Sequence, residues 1–490
     1  MEAPADMDME EETTTPAPGP PLGGNPLDLI NRVALLLILS LIALTALGRL
    51  IDFMCCRRRG RKMRIRGWVC ALLIPCYGML IPGLSACLFS FNIMVDVVGT
   101  KIGVGPEGGI DKVPPTTENM FGLVHLLAST GSMVGAVAVT IYAIVIPATK
   151  LVLMVVGEGI IFEREIEVCI QIVQNISKWA CPDMFAYILL CYLVRGMHHP
   201  MLLQARMDLD IGFTCFSLFC IGSTVASLGM RTKDREARTG CWRTVVKQIG
   251  LDNIVFVVLA LCVAFLFLFV LGMLAPVMAL GVDMDALYQP QGPLPNEFMG
   301  MPLKPIVKFL GIAELAATKV NVAEATGELW QWTMEGEVNG FIGLVMMAVF
   351  VIFFTVGDMI LLTVSAIRLR IGRSARKTMS VSWYFKKLGM LDVMITGVIV
   401  VAFCMLMYRK DGIIISPCIG LAELTAAEVI HYITYYLVKA AVESVEKKLP
   451  YSVEEKFEMP HNKSEGTSTS TESGEWNSDD WGSEPESMSE

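Results

Sequence analysis

Long apolar runs alternate with short polar loops along most of this chain, from residue 29 to residue 440. A helix needs roughly 20 apolar residues to cross a hydrocarbon core about 30 Å thick. We expect nine such spans, near residues 29–54, 68–95, 132–156, 180–198, 209–230, 252–281, 338–367, 388–408 and 413–440. The pattern therefore predicts an all-α polytopic membrane protein with about nine transmembrane helices.

Composition agrees with this class. Hydrophobic residues make up 54% of the chain and charged residues 18%, whereas about 25% of residues are charged in a soluble domain. The net charge of -9 carries little information about partners, because eight acidic residues and one lysine lie between Met459 and Glu490. We expect residues 446–490 to be a disordered acidic tail rich in Ser and Thr, and we expect no nucleic-acid partner.

Three short loops are strongly basic, at residues 57–66, 231–247 and 368–387. Basic loops stay on the cytosolic side, so we predict that these loops and the C-terminus are cytosolic. The longer connections at 96–131 and 282–337 then face the opposite side, together with the acidic leader at 1–28.

The first apolar run belongs to a segment, residues 29–67, that ends in a basic loop. This run follows an acidic leader and is longer than the core of a cleaved signal peptide, so a retained span is expected. Cys55 and Cys56 lie where this span meets the membrane surface and are candidates for S-palmitoylation. Unmodified interfacial thiols are the alternative.

Two matching sequences, 209 positions apart, indicate an internal repeat. Residues 178–183 (KWACPD) and residues 387–392 (KLGMLD) each place a carboxylate at the start of an apolar run. A carboxylate at such a place is costly, so its recurrence points to architecture or function. We expect two four-helix modules, residues 68–231 and 250–445, joined by a basic cytosolic linker at 232–249.

Each module also has a short amphipathic segment before its long span, at 120–129 and 325–332. The second segment contains Trp330 and Trp332, which suit the boundary between water and lipid.

The sequences around these positions resemble the paraquat-inducible protein A family of bacterial inner-membrane proteins, which includes the lipophilic envelope-spanning tunnel protein A. The resemblance rests on Pro147 and its following residues (147–151, PATKL), on Lys178 and Trp179 (178–185, KWACPDMF), and on residues 389–393 (GMLDV). It implies two tandem four-helix modules and the handling of membrane lipids beside partner proteins with MCE domains.

The chain also departs from that family. It has no Cys-x-x-Cys zinc ribbon, so no metal is carried over, and we expect no cofactor. Residues 355–358 (TVGD) place Asp358 where the family has a lysine. The extra first span, the acidic leader and the tail suggest a eukaryotic relative.

In the first module, Lys150 and Asp183 are candidate binding or transport residues. They fall at similar depth on neighbouring helices, and an ammonium and a carboxylate in a poorly solvated bundle should pair. The alternative is that Lys150 reaches the interface and Asp183 caps a helix.

In the second module, Asp358 and Asp392 take the matching places without a lysine. Two close carboxylates tend to share a proton, so we predict a site of protonation there. Glu428, His431 and Tyr435 fall on one face of the last span and continue this site. Polar packing between helices is the alternative.

No nucleophile with a base at motif spacing and no phosphate-binding loop occurs in the sequence, so an enzyme is the weakest interpretation. Lipid handling is the strongest, with membrane lipids and an MCE-type or other lipid-transfer protein as partners. A proton-coupled small-molecule transporter and a non-transporting membrane scaffold are the alternatives. Lipid handling predicts a cavity open sideways to the bilayer, a solute transporter a cavity open to water, and a scaffold a filled core.

Overall fold

The computed structural model describes residues 26–59, 67–97, 100–103, 116–159, 163–197, 203–230, 240–282, 297–298, 301–302, 317–405 and 413–446. Most of these residues are helical, as the apolar runs predict, and antiparallel strands account for much of the remainder. The leader up to residue 25 and the tail from residue 447 lie outside the described part of the chain.

The first half follows a long N-terminal helix, α1 (Pro26–Arg59). Its elements are, in chain order, α2 (Gly67–Ser85), β1 (Cys87–Val97), β2 (Thr100–Gly103), β3 (Thr116–Asn119), α3 (Met120–Ser129), α4 (Met133–Thr140), a π-helical stretch (Ile141–Val145), α5 (Ile146–Gly159), α6 (Glu163–Ile176), a 3-10 turn (Ser177–Ala180), α7 (Pro182–Gly196), β4 (Leu203–Leu209) and α8 (Ile211–Leu228).

The second half follows helix α9 (Gly240–Ile249). Its elements are α10 (Leu251–Leu274), β5 (Pro276–Val282), β6 (Glu297–Phe298), β7 (Met301–Pro302), β8 (Thr318–Asn321), α11 (Val322–Met334), α12 (Val338–Leu344), a π-helical stretch (Val345–Phe353), α13 (Phe354–Arg370), α14 (Arg376–Leu388), α15 (Leu391–Met405), β9 (Ile413–Pro417) and α16 (Ile419–Glu446). The helices and the main strands thus come in the same order in both halves.

Seven helices of the described residues are long and apolar enough to cross a membrane. A multi-pass helical membrane protein is therefore confirmed, whereas the expected count of nine is not. Two expected spans are missing from the seven. Helix α7 has only 15 residues, and α16 carries Glu423, Glu428 and His431 along its length.

Three small antiparallel sheets were not predicted among the described residues, and the smallest consists of β6 and β7. In the first half β1 pairs with β2, β3 and β4, and in the second half β5 lies between β8 and β9. Strands β1, β5 and β9 fall inside the expected spans 68–95, 252–281 and 413–440. The apolar run alone cannot separate a helix from the buried strand that continues it. Pro276 marks one such change, because a proline interrupts helical hydrogen bonding.

The amphipathic segments are helices, α3 and α11, and both begin in the same way. The side chain of Asn119 accepts a hydrogen bond from the backbone N–H of Gly122, and that of Asn321 accepts one from Glu324. An asparagine side chain at this position satisfies a backbone donor that the first helical turn leaves free.

Both helices also end alike. Gly131 follows α3 and Gly336 follows α11, each with φ of 90°. Residues with a side chain rarely adopt this left-handed conformation, which closes a helix and turns the chain into the next one. The short sequences between α3 and α4 and between α11 and α12 thus form matching turns.

The two halves pack against each other through α7 and α15. A Cβ atom at Gly397 of α15 would lie 2.4 Å from the carbonyl oxygen of Pro182, so only glycine allows this approach. Arg195, near the C-terminus of α7, lies 3.3 Å from Glu337 of the second half and 4.1 Å from the ring centre of Trp332. The described residues up to Glu443 form one compact unit.

Helix α1 packs on α2 near the end of the first span. The carboxylate of Asp52 accepts hydrogen bonds from the backbone N–H groups of Gly67, at 2.5 Å, and Trp68, at 3.0 Å. One helix therefore caps the N-terminus of the next. The side chains of Cys55 and Cys56 lie outside the described part of the chain.

The expected linker at 232–249 contains a helix, α9, which was not predicted. The ring of Trp242 stacks on that of Tyr436 with 6.2 Å between their centres. Arg243 lies 3.0 Å from Glu443, so α9 is attached to α16 by an ion pair as well.

Candidate functional site

The residues that precede α7 and α15 carry the ion pair that joins the two halves. Lys178 lies in the 3-10 turn before α7, and Asp392 lies in the first turn of α15. The ammonium of Lys178 is 2.5 Å from the carboxylate of Asp392, and the hydroxyl of Tyr432 donates to the same oxygen at 2.9 Å. Both charged side chains are nearly buried, so this carboxylate is neutralised by the chain itself.

The expected contact between Asp358 and Asp392 is therefore wrong, because each carboxylate has its own partners. Asp358 is fully buried in α13, where one oxygen accepts a hydrogen bond from the hydroxyl of Ser382. Its other oxygen lies 2.9 Å from Nε2 of His431. The residue that replaces the family's lysine thus contacts an imidazole and not a second carboxylate.

The polar face of α16 continues from this contact. Nδ1 of His431 lies 3.2 Å from a carboxylate oxygen of Glu428, one helical turn away. Ser382, Asp358, His431 and Glu428 form an unbroken hydrogen-bonded chain. All four are nearly or fully buried, so the expected polar stripe of Glu428 and His431 does face the interior.

The sequence analysis did not identify a second lysine, Lys386, which lies next to this hydrogen-bonded chain of side chains. The ammonium of Lys386 is buried, makes no hydrogen bond within the described residues, and faces three aromatic rings. It lies 3.6 Å from the ring centre of Tyr432, 4.0 Å from that of Tyr435 and 5.1 Å from that of Tyr436. Aromatic faces attract cations in this way. Two features of the sequence could have indicated this contact: the pair of lysines formed with Lys387, and the close spacing of the tyrosines in α16.

These groups form one charge cluster, which consists of residues of the second half and of Lys178 from the first half. Its members are Asp358, Asp392 and Glu428, which are acidic, Lys178 and Lys386, which are basic, and His431. Three carboxylates and two ammonium groups leave one negative charge.

In the first half, the expected pair of Lys150 and Asp183 is also wrong. Lys150 is fully buried and donates to the hydroxyl of Ser223 at 3.0 Å. Asp183 is 2% exposed, and neither of its oxygens has a hydrogen-bond partner among the described residues. The two charges are buried separately.

Matching positions of the two halves form matching contacts. Lys150 and Asp358 are each the fifth residue after the π-helical stretch, in α5 and α13. Ser223 and His431 likewise hold the same position in α8 and α16. The contact of Lys150 with Ser223 in one half thus corresponds to that of Asp358 with His431 in the other.

The remaining motif residues support packing. The carbonyl oxygen of Pro147 accepts a bond from the hydroxyl of Tyr77 at 3.4 Å, and Trp179 is half-buried beside Lys178. Trp330 is 54% exposed on α11, as a residue at a lipid boundary would be, whereas Trp332 is buried beneath Arg195.

A shallow and widely open groove of about 720 Å³ runs along an exposed face of α16. Its lining is almost entirely apolar and comprises Pro417, Cys418, Leu421, Ala422, Thr425, Ala426, Val429 and Ile430. Glu428 and His431 of the same helix are buried. Helix α16 therefore separates an apolar surface groove from the buried charge cluster.

The fold and these buried charges define a multi-pass helical membrane protein with polar groups inside its helix bundle. Comparison of the chain with protein-family models, curated proteins and solved structures finds no match.

Proposed function

We propose that this protein binds and moves membrane lipids. The observation that carries the proposal is the apolar groove on α16, which opens at the side of the bundle. Val429 in its lining is 53% exposed. Acyl chains need an apolar lateral surface of this kind, whereas a water-soluble substrate needs a polar one.

A second line of support is the agreement between the two halves. Matching element order, matching asparagine caps and matching turns at Gly131 and Gly336 favour two copies of one module. The sequence resemblance to the paraquat-inducible protein A family favours the same arrangement and the same lipid function, with a separate lipid-transfer protein of the MCE type or another kind as partner.

The proposal includes an orientation. Nine spans with a cytosolic C-terminus place the basic loops on the cytosolic side and the strands on the other. Glycosylation acceptors inserted into the connections at 96–131 and 282–337 should be modified. Modification of Asn462 in the tail would refute this orientation.

The groove is tested by filling it. Ala422→Trp and Ala426→Trp place a large ring on the exposed lining without a buried clash. Each should reduce crosslinking of a photoactivatable phospholipid to α16 and slow lipid transfer between vesicles several-fold. Leu259→Trp, on an exposed face of α10, is the matched control and should leave both unchanged. Equal lipid crosslinking in wild type and filled variants would overturn the proposal.

Proton-coupled transport is a second candidate, and the chain from Ser382 through Asp358 and His431 to Glu428 favours it. An imidazole between two carboxylates can accept a proton from one side and release it on the other. Such a step would couple to movement of the lipid or of another substrate. Its test is the pH response described in the Discussion.

A further inference from the structure

Asp183 is a buried carboxylate that has no hydrogen-bond partner among the described residues. It lies in the first turn of α7, directly after Pro182, and is 2% exposed. Neither oxygen accepts a hydrogen bond from any described residue. An ionised carboxylate in this setting carries a desolvation cost of several kcal/mol unless a cation or a donor reaches it.

The other half shows what this position binds. Asp392, at the same place in α15, receives the primary ammonium of Lys178 at 2.5 Å and the hydroxyl of Tyr432 at 2.9 Å. A carboxylate at this point in the fold is therefore a receptor for one ammonium and one hydroxyl.

In the first half both donors are turned elsewhere. The counterpart of Lys178 is Lys387, whose ammonium donates to the side-chain oxygen of Asn175. The counterpart of Tyr432 is Thr224, whose hydroxyl donates to the carbonyl oxygens of Cys220, at 2.7 Å, and Ser177, at 3.3 Å. Asp183 thus has the same position in the fold as Asp392 but contacts neither an ammonium nor a hydroxyl group of the described residues.

Within the part of the chain that the structure describes, no other basic group pairs with Asp183. Lys150 is occupied by Ser223, and the groups within electrostatic reach of Asp183 are Tyr142, Tyr187 and cysteine side chains. None of these carries a positive charge.

Tyr142 is a partly exposed neighbour of Asp183, within electrostatic reach of its carboxylate. This residue is half-buried in the π-helical stretch Ile141–Val145, and Ile141 and Val145 on either side of it are exposed as lipid-facing residues are. π-helical stretches are frequent at functional sites, where an irregular turn allows side chains to rearrange. Rotation of Tyr142 would admit a group from the lipid side.

We propose that Asp183 binds the primary ammonium group of a membrane lipid, and that the first half of the protein thereby selects aminophospholipids. This inference rests on the proposed lipid function. Lys178, which contacts Asp392 of the second half, is the internal template, because it fills the equivalent position with a primary ammonium that donates N–H bonds. A choline headgroup has the same charge but no N–H, so it cannot make these bonds.

The experiment uses the full-length protein in mixed micelles with matched phospholipids of identical acyl chains. The probes are phosphatidylethanolamine, phosphatidylcholine and phosphatidylglycerol, and retained lipid is counted by native mass spectrometry. Wild type should retain the ethanolamine lipid about tenfold more than the other two, which corresponds to roughly 1.4 kcal/mol. Asp183→Asn keeps the shape of the side chain and should reduce this ratio to about one.

Asp183→Glu keeps the carboxylate and should retain a preference, and both variants are checked for folding by size exclusion and thermal unfolding. If Asp183→Asn does not fold, the ratio of retained ethanolamine lipid to retained choline lipid in wild type still tests whether the protein selects a primary ammonium. Equal retention of all three lipids by wild type would refute the ammonium site while leaving the lipid function standing.

Two further outcomes separate the proposals. Wild type that retains no phospholipid at all would refute the lipid function and, with it, the selection of aminophospholipids. Free ethanolamine, added as a soluble probe, should displace the ethanolamine lipid only weakly. Binding of free ethanolamine with no retained lipid would show that Asp183 recognises a soluble amine, and would overturn the lipid assignment.

Discussion

The ammonium of Lys178 lies 2.5 Å from the carboxylate of Asp392, and this contact joins the two halves of the chain. The residues are 214 positions apart in sequence. Each belongs to one copy of the sequence pattern that marks the start of α7 and of α15. The lysine of the first copy therefore pairs with the aspartate of the second copy, and not with the aspartate of its own copy.

We expect this ion pair to be essential for the packing of the halves. The exposed fractions of its side chains are 10% and 12%, and loss of one partner of a buried pair costs about 3–5 kcal/mol. Lys178→Met or Asp392→Asn should lower the unfolding temperature markedly in detergent. The double variant should be less destabilised than the sum of the two.

Arg206→Ala serves as the control for this prediction. The side chain of Arg206 is 63% exposed beside Asp208, and an exposed pair contributes about 0–1 kcal/mol. Its loss should barely change the unfolding temperature. Additive effects of Lys178→Met and Asp392→Asn would contradict a direct interaction.

Lys150 and Asp183 should behave as independent sites. Lys150 contacts Ser223 and Asp183 has no partner in the described chain, so the two side chains share no bond. In a double-mutant cycle of Lys150→Met and Asp183→Asn, the coupling free energy of unfolding should stay within about 0.5 kcal/mol of zero. A coupling above about 1 kcal/mol would show that the charges meet.

The pH response of activity should depend on the hydrogen bond between Asp358 and His431. Groups that contact this histidine are Asp358 from α13, Phe265 from α10, and Glu428 and Tyr432 from α16. Asp358 in turn interacts with Ser382 and Lys386 from α14 and with Tyr435 from α16. Asp358→Asn and His431→Gln each remove one titrating group while keeping a similar shape. Lipid transfer measured from pH 5 to pH 8 should lose its pH dependence in both and retain a substantial rate.

Ser382→Ala is the matched control for that experiment. It removes a hydrogen-bond donor to Asp358 without removing a titrating group, so the pH response should remain. If the pH dependence of lipid transfer in Asp358→Asn equals that of wild type, the buried hydrogen-bonded side chains have only a structural role.

Cys87 should be unreactive toward maleimide at neutral pH. Burial, together with a hydrogen bond from its thiol to Asp210, raises the pKa of Cys87 to about 12. The thiolate is the reactive form, so it is scarce below that pKa and increases as the pH rises toward it. Labelling at pH 7 should be far slower at Cys87 than at the exposed Cys241.

Asp210→Asn removes the acceptor charge and should lower the pKa of Cys87, so that labelling at pH 8 to 9 increases several-fold. Rapid labelling of Cys87 in the folded wild-type protein at pH 7 would contradict the raised pKa of its thiol. Each cysteine is measured in a variant in which the other is serine.

The sequence by itself determined the class of this protein and the places where polar chemistry enters the bundle. Apolar runs of membrane length predict a helical membrane protein, because a helix satisfies all backbone hydrogen bonds within one segment. The recurring acid at Asp183 and Asp392, and the stripe with Glu428 and His431, were visible because charges inside apolar runs are costly and therefore few.

Only the tertiary structure decided which charges meet. Lys178 and Asp392 come together because α7 packs on α15, and Asp358 meets His431 because α13 packs on α16. Spacing along one chain carries no information about such contacts, which depend on helix packing over hundreds of residues. The strands after α2 and α10 were hidden for a related reason, since burial gives a helix and the strand that follows it the same apolar sequence.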